Sequence, residues 1–121
     1  MMQRIRLRTD DAAANVFLAT GASPLAFREE QVALAPDETG VYFLYRRERL
    51  IYIGVAVQAS GIRQELQRHL EGRYGPGTVA STSFDFEACR DPVVARSEYL
   101  RAYRERNGGR LPPCNEPGRD V

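Results

Sequence analysis

The chain predicts a small α+β domain, a three-stranded antiparallel or mixed sheet flanked by helices. Three observations carry this. Two runs rich in β-branched and aromatic residues, Val41–Tyr45 and Leu50–Ile53, flank a short charged turn, a strand–turn–strand signal. Ile62, Leu66 and Leu70 then recur at helical spacing. A third alternating run, Ser81–Ala88, precedes Asp91-Pro92, a strong helix start.

With 121 residues, 43% hydrophobic and 27% charged, the chain fits one domain with one modest core. No apolar run approaches the length of a membrane span. The first residues are basic but lack an apolar segment, so the expectation is a cytoplasmic protein with no membrane partner. Cys89 and Cys114 lie far apart and form no metal-ligand spacing. Net charge is only +1, which argues against a protein that coats nucleic acid. All 17 basic residues are arginines, the side chain suited to bidentate phosphate contacts, although a compositional bias towards arginine explains them as well. Residues 40–75 are the basic part, with six arginines against three glutamates.

Residues 1–39 read as an N-terminal extension that packs on a domain spanning 40–121. Residues 3–8 alternate like an edge strand, and Asp10-Asp11 could cap a short helix to about Leu18. Phe27–Ala33 suggests another short helix. Within the hairpin, alternation puts Val41, Phe43 and Tyr45 on one face and Tyr42 and Leu44 on the other. It likewise groups Leu50, Tyr52 and Gly54 against Ile51 and Ile53. Ser60 is a plausible N-cap for the following helix, and Gly72 a suitable stop. Arg73–Gly77 reads as a loop. The last helix runs from Pro92 to about Asn107, with Ala95, Tyr99, Ala102 and Tyr103 as its apolar stripe. The tail Leu111–Pro117 reads as extended and rigid.

The tripeptides Gly40-Val41-Tyr42 and Tyr52-Ile53-Gly54 resemble the paired signature of the GIY-YIG nuclease family. That family includes repair-nuclease subunits, homing endonucleases and small standalone bacterial proteins. The resemblance covers roughly Gly40 to Asn115. It extends to Ala95-Arg96-Ser97-Glu98-Tyr99-Leu100, similar to the family's metal-binding helix, and to Asn115 as its terminal asparagine. One position departs. The family places a catalytic arginine inside an apolar–polar–polar–arginine–apolar pattern, and here Ile62-Arg63-Gln64-Glu65-Leu66 puts Glu65 there. Arg63 lies about 200° around the helix from Glu65, and Arg68 shares its face. Either is a candidate replacement.

The resemblance implies phosphodiester hydrolysis in DNA with one Mg²⁺ or Mn²⁺ held by Glu98. Tyr42 or Tyr52 would take a proton from the attacking water, assisted by His69, while Gly40, Gly54 and Asn115 support the site. Each residue also has a plainer role. The tyrosines suit a sheet, Glu98 could pair with Arg101, His69 could be a packing histidine, and Asn115 could lock the tail to backbone. Glu65 also leaves open a catalytically weak or silent relative that binds nucleic acid, a protein partner or a second copy of the chain.

Overall fold

The hairpin organises the molecule. In the computed structural model, which describes residues 23–116, β2 (Gly40–Arg46) and β3 (Arg49–Ala56) pair antiparallel. Arg47 in the turn adopts a φ of 59° and donates its backbone N–H to Thr82 Oγ1 at 2.6 Å. β4 (Ser83–Ala88) pairs with the other edge of β2, and a two-residue β1 (Leu25–Ala26) pairs with β4. The sheet is therefore four-stranded and antiparallel throughout, in the order β1-β4-β2-β3, and not three-stranded as the sequence suggests. β1 escaped the sequence pattern because two residues carry no periodicity; its pairing with Phe84 and Ser83 defines it.

Helices cover both faces, as the alternation of β2 requires. Val41, Phe43 and Tyr45 pack with Ala95, Tyr99 and Tyr103 of α4 (Pro92–Arg106). The rings of Phe43 and Tyr99 meet edge to face at 4.9 Å, and the Tyr99 hydroxyl donates to Glu87 Oε1 at 2.6 Å. On the other face Tyr42 and Leu44 pack with Ile62 and Leu66 of α2 (Gly61–Leu70). Each buried large apolar side chain contributes about 2–3 kcal/mol by leaving water. Phe27 and Val32 join this second core, Val32 from α1 (Glu29–Val32), so part of the expected extension belongs to the sheet and its packing. The strand and helix expected before Leu18 lie outside the described residues.

Three local readings change. A β-bulge between Tyr52 and Leu50 leaves Ile51 without a partner on β2. It flips the start of β3, so Leu50 joins Ile53 in the α4-side core while Ile51 and Tyr52 share the α2 side. Pro76–Val79 is a short helix, α3, where a loop was expected, with Pro76 at its first position. Neither Ser60 nor Asp91 makes a side-chain capping bond; Ser60 itself is in the helical region, so its hydroxyl cannot reach the first free N–H groups. Gly72 ends the turn after α2 at φ 80°.

Among the described residues, no helix is long and apolar enough to cross a membrane. Cys89 and Cys114 are half-buried and are not joined in a disulfide.

Candidate functional site

The site grows from two tyrosines on the α2 side of the hairpin. Tyr42 pairs directly with Gly54, and its ring occupies the space where a Cβ on Gly54 would sit. Gly40 serves a similar purpose two residues before Tyr42, at the same open end of the hairpin. A Cβ there would collide with the Glu87 carbonyl of β4 and with Ile62 of α2. The two glycines thus let β4, α2 and the Tyr42 ring approach the backbone closely. The Tyr52 ring lies 6.1 Å from that of Tyr42.

α2 brings His69 against both. His69 Nε2 is 2.9 Å from the Tyr42 hydroxyl, and its ring centre is 5.1 Å from that of Tyr52. On the other side His69 Nδ1 is 2.9 Å from Thr78 Oγ1 of α3. Both His69 and Thr78 are buried. The Tyr74 ring packs 4.5 Å from His69, and its hydroxyl donates to Glu65 Oε1 at 2.8 Å. Arg68 Nη1 donates to Glu65 Oε2 at 2.9 Å and to Ser60 Oγ at 3.3 Å. Glu65 and Arg68 therefore form a neutral pair, with the carboxylate the less exposed member.

Burial sets the protonation states. It raises the Tyr42 hydroxyl far above the usual phenol range, and the neighbouring Tyr52 and Glu65 add to this. Burial also raises Tyr52, but Arg96 on α4 opposes the shift. An interaction between the two hydroxyls further favours Tyr52 as the one to ionise. Burial pushes His69 down to about 4, against the attraction of Glu65, so the imidazole is neutral at neutral pH. Tyr74 is raised by burial and by its bond to Glu65.

The fold thus brings together Tyr42, Tyr52, Glu65, Arg68 and His69. Arg63 points elsewhere. It donates to the Ala35 carbonyl at 3.4 Å and faces Asp37 at 3.6 Å. Glu98 sits half-buried on α4, whose apolar stripe covers the opposite face of the sheet. Asn115 binds the backbone of Ile53 twice: its Oδ1 accepts from Ile53 N–H at 2.8 Å and its Nδ2 donates to Ile53 C=O at 3.0 Å. This locks the 3-10 turn Pro113–Asn115 to the outer edge of β3.

Tyr74, Thr78 and Arg96 are members or neighbours of the cluster that residue spacing did not single out. Tyr74 lies between Gly72 and Gly75, both at positive φ, in a segment with no periodicity. The one available signal for Thr78 was Pro76 as a helix start. Arg96 stands two residues before Glu98, but nothing in the sequence relates it to Tyr52.

Among the described residues, no three His, Cys, Asp or Glu side chains gather as a metal-binding set. A single carboxylate such as Glu98 would suit a strongly hydrated Mg²⁺-like ion shared with a phosphate, and would not suit a closed protein cage. No family model, curated protein or solved structure matches the chain.

Proposed function

We propose that the domain is a divalent-metal-dependent phosphodiesterase of the GIY-YIG nuclease type, acting on DNA. One observation carries the reading: Tyr52 is half-buried against Tyr42 and His69 and lies within electrostatic reach of Arg96. A tyrosine that takes a proton from water needs positive charge nearby and a path for the proton behind it. Arg96 supplies the first. The Tyr42 hydroxyl and the neutral His69 supply the second. Glu98 would hold the ion, whose chemistry when bound is to stabilise charge on the phosphate. Glu65 withdraws Arg68 from this task by pairing with it, which leaves Arg96 as the cation assigned to the reacting phosphate.

The Glu65–Arg68 pair favours a second reading, a catalytically silent module that binds nucleic acid or a protein partner. A carboxylate stands where the resemblance expects a phosphate-binding guanidinium, and Tyr74 and Arg68 both satisfy it.

Nicking of supercoiled plasmid in Mg²⁺ or Mn²⁺ separates them. The nuclease reading expects cutting by the wild type and loss of about 100-fold or more in Glu98→Ala and Tyr52→Phe. Cutting that appears only in Glu65→Arg assigns the natural protein to the silent class. Inertness of every variant removes the nuclease reading for duplex DNA.

A further inference from the structure

His69 is the chain's only histidine, and each of its ring nitrogens has one oxygen partner at 2.9 Å. A neutral imidazole carries a single N–H, so one nitrogen donates and the other accepts. Two arrangements satisfy both contacts. In the first, Nδ1–H donates to Thr78 Oγ1 and the Tyr42 hydroxyl donates to Nε2. In the second, both bonds run the other way.

The two hydroxyls differ in a way that separates these arrangements. A phenol ionises near pH 10, whereas an aliphatic hydroxyl does not ionise in the accessible range. The phenol is therefore the stronger donor and the weaker acceptor. The first arrangement gives the bare imidazole nitrogen to the stronger donor and the N–H to the better acceptor. The second gives the N–H to the weaker acceptor and the bare nitrogen to the weaker donor. Thr78 is also well fixed. Ser81 donates to its carbonyl twice, from Oγ at 2.6 Å and from the backbone N–H at 3.1 Å, and the threonine is buried.

We propose that Thr78 is a positioning residue that holds His69 as the Nδ1–H tautomer, leaving Nε2 free to take the Tyr42 hydroxyl proton. The transfer is concerted: as the Tyr42 O–H bond breaks and an Nε2–H bond forms, the Tyr42 oxygen takes the Tyr52 hydroxyl proton and the Tyr52 oxygen takes one from the attacking water, so neither tyrosine is left as a phenolate and the positive charge rests on the imidazolium. The imidazolium keeps its Nδ1–H bond to Thr78 and has the Glu65 carboxylate, one helical turn earlier, as counter-charge. The use of this transfer in hydrolysis rests on the nuclease reading; the tautomer does not.

A single histidine makes the test direct. Long-range ¹H–¹⁵N correlation on uniformly labelled protein at pH 7 distinguishes a protonated from a bare ring nitrogen. The wild type is expected to show a protonated Nδ1 and a bare Nε2. Thr78→Ser keeps that pattern, and Thr78→Val shifts at least half of the population to the Nε2–H form. A wild type with Nε2 protonated overturns the proposal, as does a folded Thr78→Val protein with an unchanged pattern. Plasmid nicking is read separately on the same samples. Where the wild type cuts, Thr78→Val should cut about tenfold more slowly and Thr78→Ser within about threefold of wild type. A Thr78→Val protein that switches tautomer and cuts at the wild-type rate also overturns the proposed role. The expected tautomer in a protein that cuts nothing removes the nuclease reading and keeps the assignment of Thr78.

Discussion

The ring of Tyr42 lies over the backbone of Gly54, its directly paired neighbour on β3, and fills the place of the side chain that Gly54 lacks. The tyrosine hydroxyl reaches His69 from this position. A glycine in the middle of a strand is costly by itself. Here it is the condition for the contact between the sheet and α2.

Gly54→Ala should therefore displace the ring. The expected cost is about 1–3 kcal/mol, the usual range for overpacking a tight core site. Urea denaturation of Gly54→Ala in the wild-type and Tyr42→Leu backgrounds checks the cause. The alanine should cost less where the tyrosine ring has been removed. Equal costs in the two backgrounds would count against the ring as the source.

His69 should stay neutral well into the acid range. Its folded-state value, about 4, lies below the ordinary 6.5, so between these values the unfolded chain binds the proton more readily. Stability contributed by this burial is present above about pH 6.5 and is lost as pH falls towards 4. Between pH 7.5 and pH 5 the wild type should lose about 2 kcal/mol more than His69→Gln. The imidazole resonances of the wild type should move by no more than about a tenth of their full titration shift over that interval. A titration midpoint near 6.5 would exclude a buried neutral histidine.

Asn115 acts on the sheet and does no chemistry in this reading. Asn115→Asp keeps an acceptor for Ile53 N–H but loses the donor to Ile53 C=O, and Asn115→Ala loses both. Each should lower stability by about 1–3 kcal/mol. Exchange of the Ile53 amide should accelerate most in Asn115→Ala. Unchanged exchange would mean that the pairing contributes nothing to edge protection.

The Glu65–Arg68 pair should restrain binding of polyanions. Glu65→Gln removes the carboxylate charge while leaving a group that can accept from Tyr74. Affinity for a short DNA duplex should rise about threefold to tenfold at low salt, with a steeper dependence on salt concentration. Fluorescence anisotropy with a labelled duplex measures both. No change in either would place Arg68 away from any bound phosphate.

Much of the frame was legible in the chain. The hairpin, α2, β4 and α4 each had a periodic pattern bounded by Gly, Pro or Asp, and they form where those patterns lie. Ile51 shows where such reading stops. Its bulge depends on the fit between β2 and β3 and on the packing either side, and no residue type announces it. β1 and α3 fail for a similar reason, being too short to show a period. The candidate site divides in the same way. Tyr42, Tyr52, His69 and Glu65 sit on elements that the sequence marks, and it was the family resemblance, not their periodicity, that named them together. Thr78, Tyr74 and Arg96 reach it from a short helix, a glycine-flanked turn and the opposite helix, and only the tertiary fold relates them.

The outer strand of a sheet ordinarily offers its backbone to any other chain that passes, which is how soluble proteins begin to stack into fibres. β3 is such a strand, and at Ile53 that offer is already taken up by a side chain from the same molecule. An amide carries one donor and one acceptor, so it imitates a single peptide unit of a neighbouring strand and then stops. It presents no second edge to copy. Asn115 therefore finishes the sheet at the point where a fifth strand would begin, and one carboxamide closes that stretch of edge to strand addition.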